Sequence, residues 1–94
     1  MKTQIKKSTT HDRMSIRGKF PSGASMNFSA TRNGDSLTLG FSNDINELKR
    51  QSKIVSKWCD HRKNETNQAR FDRIENAMQS CKSGAEFMNF ISKN

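Results

Sequence analysis

The sequence predicts an α+β fold: a three-stranded antiparallel meander covered on one face by two or three C-terminal helices. Two periodicities carry that expectation. Apolar residues fall on alternate positions from Met14 to Phe41, the spacing of a half-buried strand. From Ile45 to Ile91 they recur at every third or fourth position, the spacing of an amphipathic helix. Length adds a third constraint, since 94 residues make one small domain with a thin core.

Residues 1–12 (MKTQIKKSTTHD) are polar and basic without periodicity and read as a flexible basic arm ahead of a single α+β domain over residues 13–94. In the first strand Met14, Ile16 and Phe20 share one side, with Gly18 between them, and Ser15, Arg17 and Lys19 share the other. Pro21-Ser22-Gly23 breaks the chain as a turn. Ala24, Met26, Phe28 and Ala30 then line the inner side of a second strand, with Ser25, Asn27, Ser29 and Thr31 outside. Asn33-Gly34-Asp35 signals a hairpin, because Asn and Gly tolerate the positive φ that a tight turn demands. The third strand, over residues 36–41, turns Leu37, Leu39 and Phe41 inward and Ser36, Thr38 and Gly40 outward.

The period then changes. Asn43 or Asp44 can cap a helix, Asp44 with Glu47 having the spacing of a capping box, and the helix carries an apolar stripe of Ile45, Leu48, Val55, Trp58 and Cys59. That stripe has the apolar face of the meander to pack on, and the helix is expected to end near Lys63-Asn64. A second helix, over residues 66–81, turns Phe71, Ile74, Ala77, Met78 and Cys81 inward. Ser83 with Glu86 caps a short third helix bearing Phe87, Met88, Phe90 and Ile91, which either closes the core or presents an anchor.

Charge is distributed unevenly. The chain has 17 basic and 9 acidic side chains, for a net charge of +8 and a pI near 10.0. Residues 1–43 carry seven basic against two acidic side chains, residues 44–63 six against three, and residues 64–94 four against four. A one-sided basic excess is the footprint of a polyanion or of an acidic protein surface. At 31% hydrophobic residues the chain is too polar to enclose a deep pocket. No apolar run reaches the ~18 residues of a membrane span, and the start lacks the apolar stretch of a secretory signal. A cytoplasmic setting, no membrane partner and reduced Cys59 and Cys81 are expected. The thin core is compatible with association into a homodimer.

The uncovered sheet face is the most informative surface. Ser15, Arg17, Lys19, Ser25, Asn27, Ser29, Thr31, Ser36 and Thr38 fall on it, with no carboxylate to repel phosphate. Arg pairs with guanine and Asn with adenine in the major groove, and Ser and Thr donate to phosphates. Aromatic rings, the platforms on which single strands stack, fall on the inward register, which favours duplex DNA over single strands. The candidate partner-binding residues are therefore Arg13, Arg17, Lys19, Asn27, Ser29, Thr31 and Thr38 on the strands and Lys49, Arg50, Lys53 and Lys57 on the first helix.

Arg17-Gly18, Pro21-Ser22-Gly23, the Asn33-Gly34 turn and Leu37-Thr38-Leu39-Gly40-Phe41-Ser42 leading into a helix with Glu47 give residues 17–55 a resemblance to the AP2-type domains of plant transcription factors and the arm-binding domains of phage integrases. The resemblance implies a three-stranded sheet lying in the DNA major groove, with Arg17, Lys19, Asn27, Ser29 and Thr31 against the DNA. This chain departs from the pattern in carrying Ser and Asn where the family has Trp and further Arg. The Ile45-Asn46-Glu47-Leu48-Lys49-Arg50 helix replaces an alanine-rich one.

Enzymatic chemistry finds little support. His11 lies in the expected arm, Cys59 and His61 are two residues apart with only Cys81 on the next helix, and no Gly-rich phosphate loop is present. Neither a metal nor a cofactor is expected. The first expectation is a non-enzymatic DNA-binding accessory protein. The alternative is an inhibitor or adaptor of the anti-CRISPR kind made by phages and mobile elements, docking on an acidic surface of a nucleic-acid-processing protein. That analogy is one of size and composition.

Overall fold

The computed structural model describes residues 2–93. Its elements are β1 (Gln4–Thr9), β2 (Arg13–Lys19), β3 (Ser25–Thr31), β4 (Gly34–Leu39), α1 (Ile45–Cys59), α2 (Asn67–Gln79) and α3 (Gly84–Ser92). The strands form one antiparallel sheet in the order β1-β2-β3-β4. The α+β class holds, but the sheet has four strands rather than three.

The extra strand corrects the expected arm. Residues 4–9 pair along β2 from Gln4 opposite Lys19 to Thr9 opposite Met14, while Met1 lies outside the described residues. Ile5 is the only apolar residue of β1, too little for a period-two signal, and it packs against the core. What holds β1 is non-local. Lys7 Nζ lies 3.1 Å from Glu75 Oε2 of α2, and the Thr3 hydroxyl donates to the Cys81 carbonyl.

The β3–β4 hairpin also starts earlier than expected. Thr31 pairs with Gly34, so the two-residue loop is Arg32-Asn33 and β4 begins at Gly34. Gly34 takes φ +137°, a conformation that side chains with a Cβ rarely adopt. Phe41 lies beyond the end of β4 yet still reaches the core, its ring 5.9 Å from Phe20 and 6.0 Å from Phe87.

The inner sheet face carries the core. Ile16, Met26 and Phe28 are buried beneath Val55 of α1, Ile74 and Met78 of α2, and Phe87 of α3. Each such side chain contributes ~1.5–3 kcal/mol by leaving water. Gly18 makes room for Met78, since a Cβ there would stand 2.1 Å from Met78 Cε. Two of the three helix starts have the caps read from sequence, Asp44 and Ser83, and Thr66 caps the helix between them. Asp44 Oδ1 accepts from the Asn46 and Glu47 amides, Thr66 Oγ1 from Ala69, and Ser83 Oγ from Glu86. Ile45, expected on the inward stripe, is instead 67% exposed.

α1 ends at Cys59, short of the expected Lys63-Asn64. Two arginines of α2 take its terminal carbonyls. Arg70 Nε donates to Cys59 O at 2.6 Å, and Arg73 donates to Trp58 O at 2.9 Å and Asp60 O at 3.2 Å. Cations are favoured at this negative end of the helix dipole. Arg70 is 1% exposed; its Nη2 lies 2.5 Å from Asp35 Oδ2 of β4, and its guanidinium stands 4.8 Å from the Phe28 ring centroid. Arg73 grips Glu65 through two nitrogens, at 2.8 and 3.0 Å. The chain between α1 and α2 is thereby fixed as a tight turn, with the Arg62 amide donating to Glu65 Oε1 and Asn64 at φ +63°.

Candidate nucleic-acid interface

Strand alternation sets the outer face of the sheet opposite the core. Cross-strand register arranges its side chains in rows. Lys6, Arg17, Asn27 and Thr38 form one row across all four strands, and Ser8, Ser15, Ser29 and Ser36 form the next. Gln4, Lys19 and Ser25 flank the first row, and Arg13 and Thr31 flank the second. Among the described residues no helix covers this face, and no carboxylate or aromatic ring stands on it.

The face has two chemically distinct halves. β1 and β2 carry the cations Lys6, Arg13, Arg17 and Lys19, all exposed. β3 and β4 carry the short hydrogen-bonding residues Asn27, Thr31, Ser36 and Thr38. Lys6 stands directly opposite Arg17, a like-charge pair that weakens a sheet unless something else offsets it. Among the described residues the ion pairs engage none of these four cations.

Ser29 departs from expectation. It is 3% exposed, and its Oγ lies 2.7 Å from Ser36 Oγ. A short side chain at the centre of the sheet is shaded by the longer rows on either side. It braces β3 to β4 and does not reach a partner. The remaining strand candidates, Arg13, Arg17, Lys19, Asn27, Thr31 and Thr38, share the one surface. Gln4, Lys6 and Ser8 belong to it too, although a segment with one apolar residue has no periodicity to place them there. The β-branched Ile5, Thr9 and Thr10 just before the turn at His11-Asp12 were the available signal.

Lys49, Arg50, Lys53 and Lys57 form a separate surface. At ~100° per residue they lie on the side of α1 opposite Val55, which is buried in the core. α1 packs against β4 and α3, so this stripe points away from the core and away from the open sheet face. Within the stripe Arg50 is already engaged, since its Nε donates to Glu47 Oε2 at 3.0 Å and its other nitrogen also pairs with Glu47. That pairing lowers the Glu47 carboxyl and raises the Arg50 guanidinium from their ordinary values.

Burial pushes the Cys59 thiol up to about 12 and raises Cys81, so both stay protonated near neutral pH. His61 Nε2 lies 2.5 Å from Asn67 Oδ1. Among the described residues no group of three or more His, Cys, Asp or Glu side chains gathers as a metal cage, and no helix is long and apolar enough to cross a membrane. No family model, curated protein or solved structure matches this chain.

Proposed function

We propose that this protein is a non-enzymatic duplex DNA-binding protein that uses the outer face of its sheet. The observation that carries this reading is the face on which, among the described residues, no carboxylate stands and Lys6 and Arg17 lie side by side without an ion-pair partner. A phosphate backbone supplies the missing negative charge.

Dimensions suggest how the halves divide the work. Strands ~4.8 Å apart make the face ~14 Å wide from β1 to β4. The major groove is ~12 Å wide, so the four strands do not enter it together. The β3–β4 half, with its short side chains, is the part that approaches base edges, where Asn27 can pair with adenine. The cationic β1–β2 half then lies over the flanking phosphates. Ser and Thr donate to phosphate or sugar without blocking approach.

The test is affinity for a random-sequence duplex at several salt concentrations. Four phosphate contacts give a slope of about −3.6 in log affinity against log salt, or roughly 150-fold between 50 and 200 mM. Arg17→Ala reduces that slope by about 0.9, whereas Lys53→Ala, on the other side of the molecule, leaves it unchanged. Absence of binding at low salt, or a slope indifferent to Arg17→Ala, overturns the proposal.

A further inference from the structure

We infer that the C-terminal end of α1 carries a second, chemically different surface: a docking site for an extended acidic protein segment with one aliphatic or aromatic anchor. This inference does not rest on duplex binding by the sheet.

A pocket of about 400 Å³ opens at the end of α1 beside α3. Ile54, Trp58 and Ile91 supply its apolar lining, and Lys57, His61 and Arg62 its polar lining, with Asp60 the one carboxylate among the described residues. The apolar lining is preformed. The Trp58 ring packs edge-on to Phe87 at 6.0 Å, with the Arg73 guanidinium 4.7 Å and that of Arg62 5.7 Å from its centroid. Such a volume accommodates a large apolar side chain.

Lys57 is also the last member of the Lys49, Lys53, Lys57 stripe, whose side chains are exposed and join no ion pair among the described residues. Successive lysines four residues apart on a helix are ~6 Å apart along its axis. Alternate residues of an extended chain are ~6.6 Å apart. A segment with carboxylates at every second position therefore matches the stripe in both sign and spacing, and its apolar residue reaches the pocket. Duplex DNA fits this surface poorly. It presents phosphates and groove edges but no protruding apolar group to fill the space over Ile54 and Trp58. The two surfaces are separate, each on the side of its element that faces away from the core, so a partner on each can be held at once, as in an adaptor.

Trp58 is the only tryptophan and lines the pocket, so its emission reports occupancy directly. The full chain is titrated with a short peptide that has Glu at every second position, Ser between them, a Leu-Phe anchor and no Trp or Tyr. A saturable change in Trp58 emission is expected. Replacing the anchor by Ser-Ser should weaken binding roughly tenfold or more. The double variant Lys53→Glu/Lys57→Glu, at exposed positions that leave the core intact, should lose the response, while Arg17→Ala should keep it. The inference is overturned if the peptide gives no saturable change, or if the Ser-Ser peptide binds as tightly. It is overturned equally if a short duplex competes with the peptide for the same emission change. Duplex affinity of the sheet, read through Arg17→Ala, is unaffected by any of these outcomes.

Discussion

Asp35→Asn tests the buried link that ties β4 to the helices. Arg70 is 1% exposed, whereas Asp35, its counter-ion at 2.5 Å, is 42% exposed. With Asn at 35 the guanidinium keeps the Cys59 carbonyl and the Phe28 ring but loses its balancing charge. Breaking a buried pair from one side costs ~3–5 kcal/mol, and the partial exposure of Asp35 reduces this to about 2–3. Arg70→Met removes the charge instead. Asp35 then hydrates, but the Cys59 carbonyl loses its donor, for a cost of about 2 kcal/mol. The double variant has no orphaned charge left to penalise, so it should be no less stable than Asp35→Asn alone. That is a coupling of at least about 2 kcal/mol between the two sites. Urea unfolding followed by far-UV circular dichroism and Trp58 fluorescence measures all four corners of the cycle. An additive double variant, at about 4–5 kcal/mol, would refute the claim that the pair acts as a unit.

Three further outcomes follow from the packing. Hydrogen bonding to Arg73 holds the Glu65 carboxyl down at about 2, against an ordinary 4.5. Its contribution is therefore complete above pH ~5 and is lost as pH falls toward 2, so Tm measured against pH should drop across that window, and Glu65→Gln should flatten the drop and cost about 1–2 kcal/mol at neutral pH. Gly18→Ala drives a Cβ into Met78 Cε and should cost about 1–3 kcal/mol in urea unfolding, with partial recovery when Met78→Leu is added. Deleting residues 1–9 uncovers the β2 edge and removes the Ile5 contact, so the truncated chain should be less stable and should associate, as read by sedimentation.

Much of the fold was legible because it is local. Alternation from Met14 to Leu39 assigned the inner and outer side chains of β2, β3 and β4, and Asp44, Thr66 and Ser83 marked the helix starts. Both depend on neighbours a few residues away, which the sequence displays. β1 was not legible, because one isoleucine among polar residues has no period of its own and becomes a strand only by pairing with β2. The end of α1 was not legible either. Nothing within residues 60–63 stops a helix, and the carbonyls that end it are taken by Arg70 and Arg73 from the next helix.

The sequence by itself determined the class of the fold, the polarity of each sheet face and the basic excess. Periodicity and composition contain all three. Only the tertiary structure decided which cations share a surface. It joined Lys6 to Arg17 across a strand pair, buried Ser29 against Ser36, and turned the Lys49–Lys53–Lys57 stripe away from the sheet. It also made Arg70 a core residue, which its charge alone argued against. The physical reason is range. A periodic pattern fixes which way a side chain points from its own element, while the neighbours of that side chain are set by how elements far apart in sequence pack together.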